Sequence, residues 1–321
     1  MINQIVQGDC LVESDRIESG SVDLILTDLP YGNMKNAPST WDKSKTEWDI
    51  IIQPKEVHEI ANRILRKNGK MVLFSQEPYT SELKNGAIPN VPFCYRMVWE
   101  KDTFANALGC NKAPVSYYED VLVFSKNHQK HDFEGVHPLR PYLQQVREYI
   151  GVPTKEINNV LGNVMSSHYF TKGVQFCIPV QRDYDKLIEV FSIDRMQGFR
   201  EWTDIKSEDQ EYRESLIREM NEQYPATFNL WQGNKYKSNI LKYKKDYDGY
   251  HPTQKPILLL EDLIKTFSNE GDLVVDLTIG SGSTAIASLN TGRYFIGIEM
   301  DEHYCEISRK RVEMQQESLG T

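Results

Sequence analysis

Cysteine is scarce in this sequence, and the few cysteines present lie far apart. They are Cys10, Cys94, Cys110, Cys177 and Cys305. Their number is odd and no two form a C-x-x-C pair, whereas zinc sites and disulfide frameworks use regularly spaced cysteines. The spacing argues against both kinds of site, so we expect no metal and a reducing, cytoplasmic setting.

The sequence also lacks long apolar runs. No stretch approaches the ~20 apolar residues of a membrane-spanning helix. The first ten residues, MINQIVQGDC, have neither the basic start nor the apolar segment of a signal peptide. We therefore expect a protein that is neither exported nor inserted into a membrane.

Basic residues are outnumbered by acidic ones, which gives a formal net charge of -9. This balance does not favour a nucleic-acid partner, because neutralising phosphates requires local Lys and Arg. Acidic residues are concentrated at 201–222, and six lysines follow downstream: Lys235, Lys237, Lys242, Lys244, Lys245 and Lys255. A basic strip on an acidic protein would produce this pattern, and so, more commonly, would a solvated loop.

Short apolar runs alternate with helical patterns at both ends of the chain. The first part reads QIVQ, VDLILTD, an amphipathic stretch at 54–65, a Lys-Asn-Gly stop, and then MVLFS, YRMVWEK and DVLVFSK. The last part reads as a helix at 256–267, the strand LVVDL, a glycine turn, a helix at 285–290, the strand YFIGIE and a final helix to about 316. This rhythm is typical of a parallel sheet with crossover helices. Residues 139–231 read instead as helical and polar, which indicates an insertion.

The glycine turn after LVVDL is a candidate cofactor loop. Gly280 and Gly282 allow a tight turn and a close backbone approach to a ligand at a helix N-terminus, and Glu299 ends the next strand, where a carboxylate can accept two ribose hydroxyls. Glycines that only permit strand–helix packing are the alternative. Because the chain ends soon after Glu299, the other strands of the sheet must come from earlier residues, which predicts a permuted order.

A second loop is predicted at the carboxyl end of the strand VDLILT. There Asp28 supplies a carboxylate, the Leu29 carbonyl a second acceptor, Pro30 an extended geometry for that carbonyl, and Tyr31 a ring on which a flipped base can stack. Two acceptors that hold both N–H bonds of a planar amino group would favour its attack on a sulfonium methyl. The alternative is an ordinary D-x-P turn with a packed tyrosine.

Together these segments resemble the β-class DNA amino-methyltransferases, which modify adenine at N6 or cytosine at N4. The order of a D/S/N-P-P-Y/F loop, a recognition region and a D-P-F-x-G-S-G-T-T loop is the family pattern. HPTQKP, at 251–256, is the most specific matching string. The resemblance covers about residues 1–126 and 248–315. It implies a Rossmann-like α/β methyltransferase sheet with permuted motif order and an inserted, mainly helical recognition domain.

The resemblance also implies roles for single residues. Asp28, Leu29, Pro30 and Tyr31 would form the catalytic loop. S-adenosylmethionine would be held by Asp9, Cys10, Thr253, Lys255, Asp276, Thr278, Gly280, Ser281, Gly282, Ser283, Thr284 and Glu299. Two positions depart from the family pattern. Leu29 stands where the catalytic loop usually has its first proline, and the aromatic residue that the cofactor loop usually has near the position of Thr278 is missing. Cytosine enzymes tend to carry serine first in the catalytic loop, so Asp28 favours adenine.

The insertion contains a candidate helix-turn-helix. One short helix is predicted from a cap at Thr154 to a stop at Gly162, and a second at 164–170. The second would offer contacts to double-stranded DNA, namely Ser166, Ser167, His168, Tyr169 and Lys172. A helical hairpin that packs against the sheet is the alternative, and Arg195, Arg200 and Trp202 are equally open to either interpretation.

These features predict three segments: a catalytic half at 1–126, a recognition domain at 127–247 and a cofactor half at 248–321. The predicted activity is site-specific adenine-N6 methylation of DNA, with cytosine-N4 methylation as the alternative, by a monomer or homodimer with a possible cognate restriction endonuclease. A nicotinamide oxidoreductase would leave the Asp28 loop and HPTQKP without a role. A non-catalytic helix-turn-helix regulator would leave the cofactor loop idle. RNA or a protein glutamine amide would present a similar planar amine.

Overall fold

A computed structural model describes residues 2–32, 50–105, 110–112, 114–127, 137–171, 175–246, 249–250 and 254–320. These residues form two compact units. One comprises Met1–Asn127 and Ala226–Thr321, and the other His128–Pro225. Within those ranges, none of the helices has the length and apolarity that crossing a bilayer requires.

The described strands of the first unit are β1 (Gln4–Gln7), β2 (Val22–Asp28), β3 (Leu65–Ser75), β4 (Phe93–Ala105), β5 (Ser116–Ser125), β6 (Ile240–Lys242), β7 (Leu273–Asp276) and β8 (Tyr294–Glu299). They form a single sheet of eight in the order β1-β8-β7-β2-β3-β5-β4-β6. Every neighbouring pair is parallel except the two that involve β5. The late strands β7 and β8 therefore lie between β1 and β2, which confirms the permuted order.

Helices of the first unit follow the predicted rhythm. They are α1 (Cys10–Glu13), α2 (Pro54–Ile64), α3 (Tyr79–Asn85), α9 (Ile257–Phe267), α10 (Ser283–Asn290) and α11 (Glu302–Leu319). The Lys-Asn-Gly segment predicted to stop α2 instead lies inside β3 as an irregularity, because Val22 pairs with Leu65 and Leu24 already with Lys70. Residues of a type that commonly ends a helix thus form a bulge within a strand.

The sheet is buried on both faces, as its near-continuous apolar strands require. On one face, Ile25 and Leu73 pack in a core with α2 residues such as Val57. On the other face, Leu24 and Val72 pack with α9. Successive residues of a strand point to opposite faces, so β2 and β3 fill both cores at once.

The second unit is helical and has its own apolar core, which includes Tyr142, Leu143 and Leu187. Its helices are α4 (Arg140–Ile150), α5 (Thr154–Leu161), α6 (Ser166–Tyr169), α7 (Gln181–Phe191) and α8 (Trp202–Gln223). The unit ends at Pro225, earlier than the predicted boundary at 247. Residues after it belong with the sheet, because β6 pairs with Val98, Trp99 and Glu100 of β4.

Two details of the predicted helix-turn-helix differ in the structure. Thr154 is the first residue of α5 and Pro153 occupies the cap position, while Gly162 ends the helix in the left-handed conformation as predicted. The second helix is a single turn, α6, shorter than the predicted 164–170. A helix of one turn presents little surface to a major groove.

Two predicted DNA contacts in α6 are buried in the helical core. Ser166 is fully buried and donates its hydroxyl to Asn158 at 2.6 Å, and Tyr169 donates its hydroxyl to the buried Asp183 at 2.8 Å. The prediction that Ser166 and Tyr169 contact DNA bases or phosphates is therefore wrong, because both side chains are buried and hydrogen-bonded within the helical core. Ser167 is exposed.

His168 is partly buried, and both it and Ser167 stay predicted contacts. Lys172 lies outside the described residues. Of the other open positions, Trp202 donates its indole N–H to the Pro179 carbonyl at 2.9 Å and Arg200 pairs with Glu208 at 2.5 Å, which favours packing for both.

A buried histidine couples the stability of the sheet unit to pH. His58 of α2 is fully buried, with Nε2 3.0 Å from the Leu83 carbonyl and its ring edge-on to Phe124. Burial lowers the pKa of His58 below its usual value of 6.5. The unfolded chain therefore takes up a proton that the folded protein rejects as the pH falls below 6.5.

We expect His58 to contribute a fall in the free energy of unfolding below pH 6.5, by up to about 1.4 kcal/mol per pH unit. Denaturant unfolding between pH 7.5 and 5 measures this slope. His58→Gln should flatten it, whereas His303→Gln, at an exposed position, should leave it unchanged. An equal slope in all three proteins would contradict the assignment.

Candidate active site

The predicted site residues meet at one edge of the sheet. Asp28, Asp276 and Glu299 end the parallel strands β2, β7 and β8, and Asp9 follows β1 by two residues. The carboxyl ends of parallel strands share an edge, and open α/β sheets bind ligands there. The structure thus brings together residues from both ends of the chain.

The glycine turn is fastened to Glu299. The Gly280 amide donates to Glu299 Oε2 at 2.8 Å, and the Asp301 amide donates to Oε1 at 2.9 Å. These bonds fix the orientation of the carboxylate, and each of its oxygens retains a lone pair for a further donor. Burial raises the pKa of Glu299.

Both glycines of the turn have positive φ, +53° at Gly280 and +90° at Gly282. A β-carbon at Gly282 would lie 2.9 Å from Ser308 Cβ, so only glycine permits the close approach of α11. Within the described part of the chain, the space next to Gly280 is open, since a β-carbon there would meet none of its atoms within 4 Å. Gly280 therefore offers room for a ligand beside an oriented carboxylate.

Asp276 is almost fully buried beneath the turn. It accepts hydrogen bonds from the Thr278 amide at 3.1 Å and the Thr284 hydroxyl at 2.6 Å. Burial raises the pKa of Asp276 to about 6, although these donors favour its ionised form. Through these two hydrogen bonds, the Asp276 carboxylate helps to hold the conformation of the predicted cofactor loop.

Arginine was not predicted at this site, yet Arg311 of α11 donates to the Ser281 carbonyl at 2.7 Å. Its guanidinium also lies 3.2 Å from the Ser281 hydroxyl, 3.4 Å from the Ser283 hydroxyl and 4.4 Å from the Tyr250 ring centre. Ser281 and Ser283 are thereby directed towards α11. No local sequence pattern marks Arg311, because it lies about 30 residues beyond the loop on an ordinary helix.

The segment after β1 lines the same edge. The Gly8 amide donates to the Glu299 carbonyl at 2.8 Å, and Asp9 caps α1 by accepting from the Leu11 amide at 2.9 Å. Cys10 is buried, and burial raises the pKa of its thiol to about 12. Cys10 is therefore an uncharged packing group in the predicted cofactor region.

Asp28, the first residue of the predicted catalytic loop, remains open to a ligand, with 24% of its side chain exposed. Its Oδ1 accepts the Tyr31 hydroxyl at 2.5 Å, and its Oδ2 pairs with the Lys255 ammonium. The Tyr31 ring is half-buried and lies 6.3 Å from the Tyr79 ring. The Leu29 side chain packs in the core, which fixes the backbone of the loop.

Thr278, where the family usually has a nearby aromatic residue, links the two loops. Its hydroxyl donates to the Asp28 carbonyl at 3.0 Å and lies 2.9 Å from the Thr27 hydroxyl. The cofactor turn and the catalytic loop are therefore joined by direct hydrogen bonds across 250 residues of sequence.

Lys255 was predicted to bind the cofactor, and the structure places it in a buried ion cluster with Asp28. Lys255 Nζ lies 3.2 Å from Glu119 Oε2, and Lys101 Nζ lies 3.1 Å from Glu119 Oε1. Glu119 and Lys101 were not predicted as site residues. In the sequence, each is a charged residue at the end of an apolar strand segment. Thr253 and the rest of 251–253 lie outside the described residues.

The lysine cluster is only partly available as a basic strip. Lys237 pairs with Asp262 at 2.6 Å, Lys242 pairs with Glu100 at 3.1 Å, and Lys255 pairs with Asp28. Three of the six predicted lysines therefore have their charge compensated within the sheet unit.

The fold and the two joined loops define a class of α/β protein whose candidate ligand site lies at the carboxyl ends of parallel strands. In fold, the chain is similar to the PvuII DNA methyltransferase (cytosine-N4-specific), with a TM-score of 0.53 and 14% identity over 98% of this chain and 90% of that one. A model of the N6_N4_Mtase family, described as DNA methylase, matches residues 22–310. The chain belongs to this family.

Two relatives that align with nearly all of this chain are also named as methyltransferases. The type II methyltransferase M2.LlaDCHI of Lactococcus lactis subsp. cremoris is 33% identical over 96% of this chain and 88% of that protein. The DNA adenine methyltransferase YhdJ of Escherichia coli (strain K12) is 25% identical over 97% of this chain and 82% of that protein.

The bond between the loops can be tested by removing one hydroxyl. Thr278→Val keeps the shape of the side chain but leaves the Asp28 carbonyl without this donor, so we expect it to lower the free energy of unfolding by about 1–3 kcal/mol. Denaturant unfolding measures the loss. Thr278→Ser, which keeps the hydroxyl, should recover most of it; equal losses in both variants would show that the methyl group, not the bond, matters.

Proposed function

We propose that this protein transfers a methyl group from S-adenosylmethionine to the N6 amino group of adenine in double-stranded DNA. The observation that carries the proposal is the joining of the Asp28 loop to the Gly280 turn through Thr278. An amine held at the first loop would lie beside a cofactor held at the second.

The cofactor loop suits a cationic adenosyl ligand. Glu299 would accept the ribose hydroxyls, the turn from Gly280 to Thr284 would follow the ligand, and Asp9 would lie at its adenine end. Asp276 would lie near the methionine end. When bound, S-adenosylmethionine supplies an electrophilic methyl group on a positively charged sulfur.

Asp28 and the Leu29 carbonyl would orient the target amine. The lone pair of an aromatic amine is conjugated with its ring, so acceptors for both N–H bonds favour the tetrahedral geometry that nucleophilic attack requires. Transfer would form a nitrogen–methyl bond and break the sulfur–methyl bond, which leaves the neutral thioether, and the amine would then lose one proton. Asp28 would accept that proton. Tyr31 would stack on the extruded base.

Adenine is proposed over cytosine on two grounds. The loop begins with Asp28, where cytosine enzymes of the family tend to carry serine. The relative YhdJ, aligned over 97% of this chain, is named as an adenine methyltransferase.

We further propose that the helical unit His128–Pro225 reads the DNA sequence, with Ser167 and His168 as candidate contacts. A separate unit with its own core can present a recognition surface while the sheet carries the chemistry. A cognate restriction endonuclease is a proposed partner, since the relative M2.LlaDCHI is named a type II methyltransferase. A monomer and a homodimer are both compatible with this proposal.

Transfer of labelled methyl groups to unmethylated bacterial DNA, followed by nucleoside mass analysis, tests the reaction. We expect N6-methyladenine, and a decrease of at least about 100-fold in Asp28→Ala, because one of two oriented acceptors is lost. N4-methylcytosine would keep the mechanism and overturn the choice of base. A DNA product that is undiminished in Asp28→Ala would contradict the role of this carboxylate.

Cofactor affinity tests the Glu299 assignment separately. Charge-assisted hydrogen bonds contribute about 1.5–3 kcal/mol, so Glu299→Gln should raise the Kd for S-adenosylmethionine roughly 10- to 150-fold. Isothermal titration measures it without DNA. Glu302→Gln, an exposed neighbour on α11, is the matched control; if both variants bind like the wild type, Glu299 does not hold the cofactor.

A further inference from the structure

Four charged side chains of alternating sign form a row at the edge of the sheet that carries the candidate active site. Asp28 pairs with Lys255, Lys255 with Glu119 at 3.2 Å, and Glu119 with Lys101 at 3.1 Å. Three members are closed off from solvent, with exposed side-chain fractions of 7% for Lys255, 11% for Glu119 and 0% for Lys101. Asp28, at 24%, is the most open member.

Burying three charges is costly, and mutual pairing only partly offsets the loss of hydration. Apolar residues of similar size would often be at least as stable. The row leads from these three buried members to the more exposed, proposed catalytic carboxylate. Its arrangement therefore points to an effect on Asp28.

We propose that Lys255 is a positioning residue for methyl transfer, which holds the Asp28 carboxylate ionised and turned towards the target amine. Glu119 and Lys101 hold Lys255 in place. This inference rests on the proposed function and replaces the expectation that Lys255 binds the cofactor.

The contacts of Asp28 explain how such positioning works. One oxygen accepts from Tyr31 at 2.5 Å and the other from Lys255, so the carboxylate cannot rotate freely. Each oxygen has two lone pairs, and one on each remains for an N–H of the substrate. A carboxyl that became protonated would lose acceptor capacity on one oxygen.

The surrounding charges act on Asp28 in opposite directions. Burial raises the pKa of Asp28, the Lys255 ammonium lowers it, and the Glu119 carboxylate raises it. Although burial alone would raise the pKa of Glu119, the ammonium groups of Lys255 and Lys101 lower it below the usual value. Removing Lys255 or Glu119 should therefore move the ionisation of Asp28 in opposite directions.

Other titratable groups at this edge are common to every variant. Tyr31 contacts Asp28, Asp276 interacts with it electrostatically, and Lys245 interacts with Lys101, Glu119 and Lys255. All three groups are present in the wild type and in every variant. The two variants are therefore compared by the direction in which each shifts the pH profile, since Lys255→Met and Glu119→Gln change the charge next to Asp28 with opposite sign.

The test measures kcat for DNA methylation against pH at saturating S-adenosylmethionine and DNA. For Lys255→Met we expect kcat to fall about 100-fold, the scale of a misplaced catalytic group, and the acidic limb to shift to higher pH. The Kd for S-adenosylmethionine should change less than about 3-fold, because Lys255 contacts the amine side of the site. Lys255→Arg should restore part of kcat and bring the acidic limb back towards its wild-type pH.

The variant Glu119→Gln tests for a shift of the pH profile in the opposite direction. Loss of its negative charge should shift the acidic limb to lower pH, which a purely structural defect would not do. This variant also carries the test if Lys255→Met fails to fold, as checked by thermal melting. If the acidic limb of Glu119→Gln shifts to higher pH or stays unchanged, the proposal is overturned.

Lys237→Met is the matched control. Lys237 likewise pairs with a buried carboxylate, Asp262, at 2.6 and 2.7 Å, and its side chain is 12% exposed. This variant should lose stability yet keep the wild-type pH profile. If Lys255→Met behaves like Lys237→Met, or raises the Kd for S-adenosylmethionine instead of lowering kcat, Lys255 has no positioning role. Absence of DNA methylation by the wild type would instead refute the proposed function.

Discussion

The parallel pairing of β2 with β7 is the constraint on which the site depends. Leu24 pairs with Val274 and Ile25 with Val275, so strands from the two ends of the chain lie side by side in the middle of the sheet. Both strands end at the same edge, and the Thr278 hydroxyl reaches the Asp28 carbonyl there. Without this pairing, the cofactor turn and the catalytic loop would be unrelated segments.

The carboxylates at this edge are stabilised in two different ways. Asp276 and Glu299 accept hydrogen bonds from backbone amides and hydroxyls, and burial raises the pKa of each. Asp28 and Glu119 are instead paired with lysines. Asp276 and Glu299, which form no ion pair within the described residues, would attract a cationic cofactor, while the lysine-paired Asp28 would suit a neutral amine. The division follows from where the lysines lie.

Most elements of the sheet could be predicted from the sequence, because strands buried on both faces read as continuous apolar runs between helical periods. The glycine turn, Asp28 and Glu299 were also predictable, since each follows directly after such a run. The boundary of the insertion was not, because β6 has only three residues and is recognisable only through its pairing with β4. The role of α6 was not predictable either, because polar residues that suit a DNA surface, Ser166 and Tyr169, instead form buried hydrogen bonds.

By itself, the sequence determined the class of fold, the order of its segments and the two loops, since these depend on local periodicity and on motifs a few residues long. Only the tertiary structure decided which distant side chains meet. Thr278 joins the loops, Arg311 holds the cofactor turn, and Lys255 pairs with Asp28 instead of lying in a basic strip. The physical reason is that hydrogen bonds and buried ion pairs depend on distances of about 3 Å, which only the packed chain brings about.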